Sequence, residues 1–504
     1  MNQKTYTTGL RKITQHNLHW RRTKIVATLG PASNTRETIK ELMESGLNVV
    51  RLNMSHGTHA EHKETFDLVR STAKSMERNI AILFDLCGPK LRTGTFRQGK
   101  ILLKEEQEIT LTTRDVEGDE SLIVSQYRQL HEEVKKSDRI LLDDGKIELA
   151  VNGVSDQDIS CTVIYGGVLS NNKGINLPDT HLGVTALSEK DMHDVDLAIE
   201  MGADFLALSF VRNAKDVIQL QDYLTEKGAD IPIIAKIEKP EAVANIKSIM
   251  DKAYGIMIAR GDLGIELPAE QVPLIQRDLI KMARDNHCPV IVATQMLESM
   301  IHSSRPTRAE VGDVAHAALS SADAVMLSGE TAAGDYPVEA VQSMDRILRE
   351  MENYQWQIMQ FAKSHSSDKN DKPLPQRQAI ARAATTLAHD LKLQGIIIPT
   401  NTGSTARIIA ANRPTTPCIG VCYSPVIARK LALHWGVVSV SIEKNENQNW
   451  REMSNRIASG FNLLKTGNHV LLVSGFNEDP ELNEPVMKLL TLEQNEEYLR
   501  LALL

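Results

Sequence analysis

The sequence predicts an α/β protein with three parts: a parallel (β/α)8 barrel, an inserted β-barrel lid domain and a C-terminal α/β domain. Eight short apolar runs alternate with helical segments over the first two thirds of the chain. The alternation is broken once by strand-like stretches without long helices between them, and it resumes after a polar segment near residue 370. Eight parallel strands separated by helices close into a barrel of the TIM type.

The eight barrel strands are predicted from nearly continuous Val, Ile, Leu and Ala content, which suits strands buried on both faces. They are Lys24–Thr28, Val49–Asn53, Ile80–Asp85, Phe205–Phe210, Ile231–Ile237, Gly255–Ala259, Pro289–Thr294 and Ala324–Leu327. Ser188 before acidic residues predicts one helix start, and Pro337 predicts another.

The interruption predicts an inserted lid segment, residues 88–183. Its strand-like stretches are Glu108–Thr113, Ile140–Val151 and Ile159–Tyr165, and Asp143-Asp144-Gly145 predicts a hairpin turn. The C-terminal domain is predicted to have strands at Gly395–Ile398, Cys418–Val421, Val437–Ser441 and His469–Val473. The predicted division is an N-terminal extension (1–20), the barrel (21–87 and 184–355), the lid segment (88–183) and the C-terminal domain (356–504).

Composition excludes several functional classes. The net charge of -8 and the pI near 6.0 argue against a general nucleic-acid binder. No apolar run is long enough for a membrane span, and residues 1–20 lack the apolar centre of a secretory signal. We therefore expect a cytoplasmic protein without nucleic-acid or membrane partners, whose five cysteines are reduced thiols.

Polar residues follow most of the predicted barrel strands. In a barrel of this type the active site lies at the carboxyl ends of the strands, so these side chains are expected to meet at one mouth. They are Arg51, Asn53, Ser55, Asp85, Lys236, Glu238, Arg260, Gly261, Asp262, Thr294 and Gln295. Each one alone has a structural explanation, such as a helix cap or a surface ion pair. Together they favour a functional site, because unpaired charges are costly near a barrel interior.

The residue types at this mouth suit phosphoryl transfer. Glu238 and Asp262 provide the one or two carboxylates with which proteins hold Mg²⁺ beside a substrate phosphate. Lys236 and Arg51 provide the cations that charge on a transferred phosphoryl group requires. The segment Gly261–Gly264 exposes backbone amides at a turn or helix start, which suits a carboxylate or a phosphate.

Five motifs resemble the pyruvate kinase family, in the order that the family has them, from the first strand to about Pro337. The resemblance is carried by Thr23–Ser33 (TKIVATLGPAS), Lys236-Ile237-Glu238, Ala259–Gly264 (ARGDLG) and Ala293–Met300 (ATQMLESM) with Arg305–Glu310 (RPTRAE). It implies a TIM barrel with a lid that transfers a phosphoryl group between phosphoenolpyruvate and ADP, giving pyruvate and ATP. It also implies a homotetramer.

The resemblance implies roles for individual positions. Arg51 and Lys236 would contact the phosphoryl group, Glu238 and Asp262 would bind Mg²⁺ or Mn²⁺, and Thr294 and Gly261 would lie at the substrate. The positions that match the family's nucleotide-phosphate site are Asn53, His56, Arg92 and Lys173.

The chain departs from the family pattern at the monovalent-cation site. Many members bind K⁺ near the positions Asn53, Ser55, Asp85 and Leu86, with a glutamate where this chain has Lys90. Leu86 also replaces a hydroxyl residue that is common in the K⁺-dependent branch. We expect the tethered Lys90 ammonium to replace K⁺, because a second cation beside it would be repelled.

A phosphate site is also predicted in the C-terminal domain. The segment Thr400-Asn401-Thr402-Gly403-Ser404-Thr405 follows a strand and opens a helix, so its hydroxyls and amides suit a phosphate. In the family this region holds an allosteric sugar phosphate. The later loop, Ser474–Glu481 (SGFNEDPE), is acidic, which favours a monophosphate effector or none over a bisphosphate.

Two other functions remain open at the level of the sequence. A Mg²⁺ barrel lyase acting on pyruvate enolates would use Glu238 and Asp262 but would not depend on ADP. A silent regulatory relative would bind phosphoenolpyruvate without forming ATP; the presence of Arg51, Lys236 and Thr294 argues against it.

Overall fold

The computed structural model describes residues 21–180, 183, 185–357, 373–443, 449–461, 467–476 and 483–492. The predicted N-terminal extension lies outside these ranges, as does most of the acidic loop after Phe476. No helix within them combines the length and apolar character that a membrane crossing requires.

The strands of the described ranges account for all predicted apolar runs. In chain order they are β1 (Lys24–Thr28), β2 (Val49–Asn53), β3 (Ala81–Asp85), β4 (Lys100–Leu103), β5 (Glu108–Thr112), β6 (Leu122–Val124), β7 (Arg139–Leu142), β8 (Ile147–Ser155), β9 (Asp158–Tyr165), β10 (Gly167–Ser170), β11 (Ile175–Asn176), β12 (Phe205–Leu208), β13 (Ile233–Ile237), β14 (Gly255–Ala259), β15 (Val290–Ala293), β16 (Ala324–Leu327), β17 (Ile396–Thr400), β18 (Cys418–Cys422), β19 (Val437–Ser441), β20 (His469–Ser474) and β21 (Val486–Thr491).

Helices connect these strands. They are α1 (Arg36–Glu44), α2 (His59–Ser75), α3 (Leu130–Glu133), α4 (Glu189–Met201), α5 (Ala214–Glu226), α6 (Pro240–Ala244), α7 (Ile246–Met250), α8 (Arg260–Glu266), α9 (Val272–Asp285), α10 (Arg308–Leu319), α11 (Gly329–Ala332), α12 (Pro337–Gln357), α13 (Gln376–Asp390), α14 (Ser404–Ala411), α15 (Pro425–Lys430) and α16 (Trp450–Gly460). The predicted starts at Ser188 and Pro337 are confirmed; Ser188 and Asp191 form a reciprocal capping box.

The predicted closed parallel barrel is confirmed. Its strand order is β1-β16-β15-β14-β13-β12-β3-β2, with every neighbouring pair parallel. Apolar side chains fill the barrel interior, and a larger apolar layer packs between the strands and the surrounding helices. All eight carboxyl ends therefore open at one mouth.

The lid segment contains strands between β3 and β12, as predicted. Six of them form the sheet β11-β7-β8-β9-β5-β6, and β4 pairs with β10. The turn predicted between β7 and β8 is confirmed: Asp143, Asp144 and Gly145 have φ values of 51°, 58° and 81°. This turn points toward the barrel, because Gly145 packs near Ile265 of α8.

The C-terminal sheet has the order β19-β18-β17-β20-β21. Its first four strands match the predicted ones, while the antiparallel edge strand β21 was not predicted. The domain packs under the end of the barrel opposite the mouth, which we call the foot. There Arg413 forms a two-pronged ion pair with Asp323, at 3.1 and 3.0 Å, and Lys24 Nζ donates to the Val437 carbonyl at 2.6 Å.

Candidate active site

Asp85 lies at the centre of the barrel mouth. It ends β3, and its side chain is 1% exposed. Arg51 at β2 donates from Nε to Asp85 Oδ2 at 2.6 Å and from Nη1 to the Thr28 hydroxyl at 3.0 Å. Lys236 Nζ on β13 lies 3.4 Å from Asp85 Oδ1, so one carboxylate joins the two cations.

Lys236 has two further partners. Its Nζ lies 2.8 Å from Glu238 Oε1 and donates to the Ser209 hydroxyl at 2.7 Å. Burial by itself lowers the pKa of Lys236, but the carboxylates of Asp85 and Glu238 outweigh it and raise that pKa above its ordinary value. Burial likewise raises the pKa of Asp85, and the charges of Lys236 and Arg51 outweigh it and lower that pKa. Both groups are therefore ionised at neutral pH.

At Glu238 and Asp262 the effects of burial and of neighbouring charges differ from those at Lys236 and Asp85. Glu238 is buried, and its Oε2 accepts from the Phe210 amide at 2.8 Å. Burial first, and the Glu238 charge second, raise the pKa of Asp262 to about 6, while the Lys236 and Lys90 charges act against this rise. Over the described ranges the Asp262 carboxylate makes no hydrogen bond. Asp262 thus lacks an ion pair among the described residues and lies near the charge of a second carboxylate, an arrangement that fits a divalent cation.

The donor set suits Mg²⁺ in particular. The described part of the chain contains no cluster of three or more His, Cys, Asp or Glu side chains placed to hold a metal ion. Mg²⁺ is commonly held by one or two carboxylates, and water and substrate oxygens complete its shell. Glu238 and Asp262 therefore fit this ion, for which a closed protein cage is not required.

Thr294 follows β15 in a strained conformation. Its φ is 65° and that of Gln295 is 52°, values that residues other than glycine rarely adopt. The Thr294 hydroxyl accepts from the Gly261 amide at 2.7 Å and donates to the Ala293 carbonyl at 2.6 Å. Arg260 donates to the carbonyls of Thr294 and Gln295, at 2.9 and 2.7 Å from Nη2. These hydrogen bonds keep Thr294 and Gln295 in the strained conformation and join them to the start of α8.

The loop after β2 carries the other predicted barrel positions. Asn53 Oδ1 accepts from the Ser55 amide at 3.2 Å, which forms a local turn. Side chains of two helices contact backbone carbonyls of this loop. Lys190 Nζ of α4 donates to the Met54 carbonyl at 2.6 Å, and His62 Nε2 of α2 lies 2.8 Å from the His56 carbonyl oxygen. The loop is thus fixed at the edge of the mouth beside Asp85.

Arg92 and Lys173 lie on the lid segment, close to one another through a bridge between Arg92 and Gly174. Lys173 Nζ is 2.8 Å from Asp143 Oδ1, and Arg92 donates to the Asn172 carbonyl at 3.0 Å. The expected nucleotide positions therefore divide between the lid segment and the barrel loop.

Lys90 lies on the lid connection, with its Nζ 4.0 Å from Asp144 Oδ1. Its charge also acts on Asp262. Leu86 is buried, and its carbonyl accepts from the Ser209 hydroxyl at 2.7 Å. The Lys90 ammonium thus has its ion pair with the lid hairpin and not with Asp85.

The C-terminal segment 400–405 forms the predicted turn between β17 and α14. Gly403 has φ 83°, and its amide donates to the Thr400 hydroxyl at 2.9 Å. The Ser404 amide donates to the Thr402 hydroxyl at 3.4 Å, and Arg377 Nη1 donates to the Ser404 hydroxyl at 3.0 Å. One cation therefore already lies at this turn.

Two residues of the site were missed from the sequence. Ser209 and Phe210 follow β12, and they contact Lys236 and Glu238 respectively. The rule that polar groups at the carboxyl ends of barrel strands are functional identifies Ser209 when it is applied to all eight strands. Phe210 gives no such signal, because it acts through its backbone amide.

Family models match most of the chain. The model described as "Pyruvate kinase, barrel domain" matches residues 20–341, and "Pyruvate kinase, alpha/beta domain" matches residues 378–484.

Individual relatives agree with these models. The chain is 42% identical to pyruvate kinase 2 of a Synechocystis species, over 90% of this chain and 76% of that protein. It is 41% identical to a pyruvate kinase of Thermococcus litoralis, over 90% of this chain and 95% of that protein. A crystal structure of a pyruvate kinase from Cryptosporidium parvum superposes with a TM-score of 0.88 at 34% identity, covering 96% of this chain and 98% of that one.

Proposed function

We propose roles for individual side chains from one premise, which is that this chain belongs to the pyruvate kinase family. It accordingly transfers the phosphoryl group of phosphoenolpyruvate to ADP, giving pyruvate and ATP in the last step of glycolysis, and it uses Mg²⁺ as members of the family do. One observation supports the site assignment above all others: two buried cations and three carboxylates meet at one barrel mouth.

Arg51 and Lys236 bind the phosphoryl group during transfer. Phosphoryl transfer needs positioning and positive charge more than covalent help, because charge spreads over the transferred oxygens. Both cations are nearly buried, so they act in a medium that screens them weakly. Asp85 holds the two side chains in place through its ion pairs with both.

Glu238 and Asp262 hold the divalent ion. When bound, Mg²⁺ would supply positive charge that neutralises substrate oxygens. The raised pKa of Asp262 supports this role, since its ionised form lacks a protein cation of its own.

Thr294 and Gly261 orient the substrate at the start of α8. The hydroxyl of Thr294 accepts the Gly261 amide, which fixes both groups beside Asp262. An unperturbed hydroxyl is a poor acid at neutral pH, so Thr294 positions the reacting carbon and any proton that reaches it comes through water. Its strained backbone supports a functional role.

Asn53 and His56 on the barrel loop, with Arg92 and Lys173 on the lid segment, bind the phosphates of ADP. Lys173 is paired with Asp143 at the lid hairpin, and an incoming phosphate competes with that carboxylate. Closing of the lid segment then brings both groups of residues to one nucleotide and excludes water from the transfer.

The experiment is an assay of pyruvate formation from phosphoenolpyruvate with Mg²⁺, with and without ADP. We expect pyruvate and ATP in equal amounts, and only when ADP is present. Pyruvate formation without ADP would indicate the lyase, and phosphoenolpyruvate binding without turnover would indicate the silent relative.

Lys90 replaces K⁺ as the monovalent charge. The ammonium is tethered at the lid connection, where its charge favours the ionised form of Asp262, and Leu86 lacks a hydroxyl for a bound ion. We expect equal activity in K⁺ and in tetramethylammonium at constant ionic strength. Lys90→Glu should need K⁺ for activity, while Lys104→Glu, a charge reversal elsewhere on the lid segment, should not. A K⁺ requirement of the unaltered enzyme would contradict the replacement.

The turn 400–405 binds a sugar monophosphate as an effector. Its hydroxyls and the Arg377 guanidinium at Ser404 support a single phosphate. A shift of the phosphoenolpyruvate saturation curve by a sugar monophosphate, lost in Ser404→Ala, is the expected result. The homotetramer and the cytoplasmic location stay predictions, and sedimentation of the purified enzyme tests the first.

A further inference from the structure

Phe210 lies between a lid connection and a carboxylate to which we assign metal binding. It follows β12 at the barrel mouth and is half-buried. Its amide donates to Glu238 Oε2 at 2.8 Å, while Lys236 lies 2.8 Å from Glu238 Oε1. These contacts engage both oxygens of Glu238, so the position of the Phe210 backbone helps to set the orientation of this carboxylate.

The backbone of Phe210 is strained. Its φ is 54°, in the left-handed region, where a residue with a side chain pays about 1–2 kcal/mol. Such strain persists only where the surroundings hold it. The strained conformation therefore depends on what the phenyl ring packs against.

The ring packs on the first lid connection. Gly88 has φ 67°, and a Cβ atom there would lie 2.7 Å from Cδ2 of Phe210. The Gly88 amide donates to Asp191 Oδ1 at 3.0 Å, which fastens this connection to α4. No other residue type fits between the ring and α4 without a shift of one of them.

The other lid connection borders the same ring. A cavity of about 30 Å³ lies there, and its lining includes Phe210, Lys90, Ile175, Leu177 and Ala186. Both chain segments that join the lid to the barrel thus line one cavity together with Phe210.

We propose that Phe210 is a positioning residue that couples the lid connection at Gly88 to the metal-binding orientation of Glu238. A movement of the lid connection shifts the ring, the ring shifts the strained backbone, and the amide turns the carboxylate. Because coupling between two binding or conformational events is reciprocal, the metal favours one lid position by as much as that position favours the metal. The inference rests on the proposed metal role of Glu238.

The test is Mn²⁺ binding to the whole enzyme without substrates, followed by electron paramagnetic resonance. Phe210→Ala should bind Mn²⁺ about tenfold more weakly, the range found when the partner of a metal ligand is removed. Gly88→Ala should weaken binding through its clash with the ring. The double variant, with both Gly88→Ala and Phe210→Ala, should bind Mn²⁺ no more weakly than whichever single variant has the lower Mn²⁺ affinity. The reason is that both changes interrupt the same chain of contacts.

Two control variants test whether a lower Mn²⁺ affinity comes from the Phe210 contacts or from a general loosening of the lid segment. Phe210→Tyr keeps the ring and should bind Mn²⁺ within about twofold of the unaltered enzyme. Arg114→Ala removes a contact of the lid segment that does not border the Phe210 cavity, the 3.0 Å ion pair with Asp158, and should leave Mn²⁺ affinity unchanged. Hydrogen exchange supplies a second readout: Mn²⁺ should slow exchange at residues 88–94 in the unaltered enzyme but not in Phe210→Ala.

The outcomes distinguish the inference from the role on which it rests. Equal Mn²⁺ affinity of Phe210→Ala and the unaltered enzyme would overturn the coupling and leave the metal role of Glu238 intact. Additive effects in the double variant would overturn it as well. An unaltered enzyme that binds no Mn²⁺ would overturn the metal role, and the coupling with it.

Discussion

The two ends of the barrel differ in how their buried carboxylates are paired with cations. At the foot, the carboxylates of Asp323 and Asp204 each have guanidinium partners, from Arg413 and from Arg70 and Arg429. At the mouth, Arg51 and Lys236 pair with Asp85 and Glu238. Among the described residues the foot carboxylates therefore have ion-pair partners within the protein, whereas Asp262 at the mouth has none.

Positive φ values occur at both ends. Thr294, Gln295 and Phe210 have them at the mouth, and Ser321 and Arg413 have them at the foot. Backbone strain therefore does not separate the two ends. The comparison teaches that the difference lies in ion pairing: Asp262 is a carboxylate at the mouth that the described residues leave without an ion-pair partner, which marks a place for a ligand.

Removal of the mouth cation should have the largest effect. Lys236→Met takes away the charge to which we assign the contact with the phosphoryl group, and we expect kcat to fall about 10³-fold. Steady-state kinetics with phosphoenolpyruvate and ADP provides the measurement. Lys430→Met, at a half-buried position of the foot, is the control and should keep its kcat; a loss below tenfold in Lys236→Met would remove the distinction between the two ends.

Breaking the foot ion pair should reduce stability without changing the chemistry. Arg413→Met leaves Asp323 without its guanidinium, and loss of one partner of a buried pair costs about 3–5 kcal/mol. Urea unfolding measures the loss, and kcat of the folded enzyme should stay the same. Arg429→Met is the matched variant and should cost less, because Asp204 keeps Arg70. Equal losses would contradict the pairing described here.

Lys24 should make the foot sensitive to pH. Burial lowers its pKa from 10.5 to about 7. Between these two values the unfolded chain keeps a proton that the folded chain has lost, so stability rises with pH by up to about 1.4 kcal/mol per unit. Lys24→Met should remove this rise. Unfolding of both proteins between pH 7 and 10 is the measurement, and parallel pH profiles would show that Lys24 is charged in the fold.

Relief of backbone strain should have the smallest effect. Gln295→Gly removes the cost of a positive φ and should stabilise the fold by about 1 kcal/mol. It also loosens Thr294, so kcat should fall severalfold. Ser321→Gly at the foot, where φ is 66°, should give similar stabilisation with unchanged kcat. A lower kcat in both Gln295→Gly and Ser321→Gly would mean that backbone strain at the foot supports activity as strain at the mouth does.

The barrel was predictable because its signal is local. Apolar runs and their spacing gave all eight strands, and four of their bounds agree residue for residue. The predicted strands ending at Phe210 and Thr294 were too long, since both residues adopt positive φ outside the strand. Residue type does not reveal that conformation. The edge strand β21 was missed because its side chains are largely exposed and lack the pattern of a buried strand.

The candidate site was predictable as a set of residue types and not as a set of partners. Arg51, Lys236, Glu238 and Asp262 were identified from their places at the ends of strands. Their pairing, and the contact between Lys90 and Asp144, were not. Strand ends far apart in sequence become neighbours only when the barrel closes.

The sequence by itself determined the barrel, the order of its motifs and the chemical groups at the mouth, because apolar periodicity and residue chemistry are written along the chain. Only the tertiary structure decided which charges are satisfied and which are left for a ligand. That outcome depends on burial and on distances of a few ångströms between separate strands, which determine the local dielectric and hence each pKa. The same reason explains Phe210: its importance lies in a backbone amide and a ring contact, neither of which its residue type specifies.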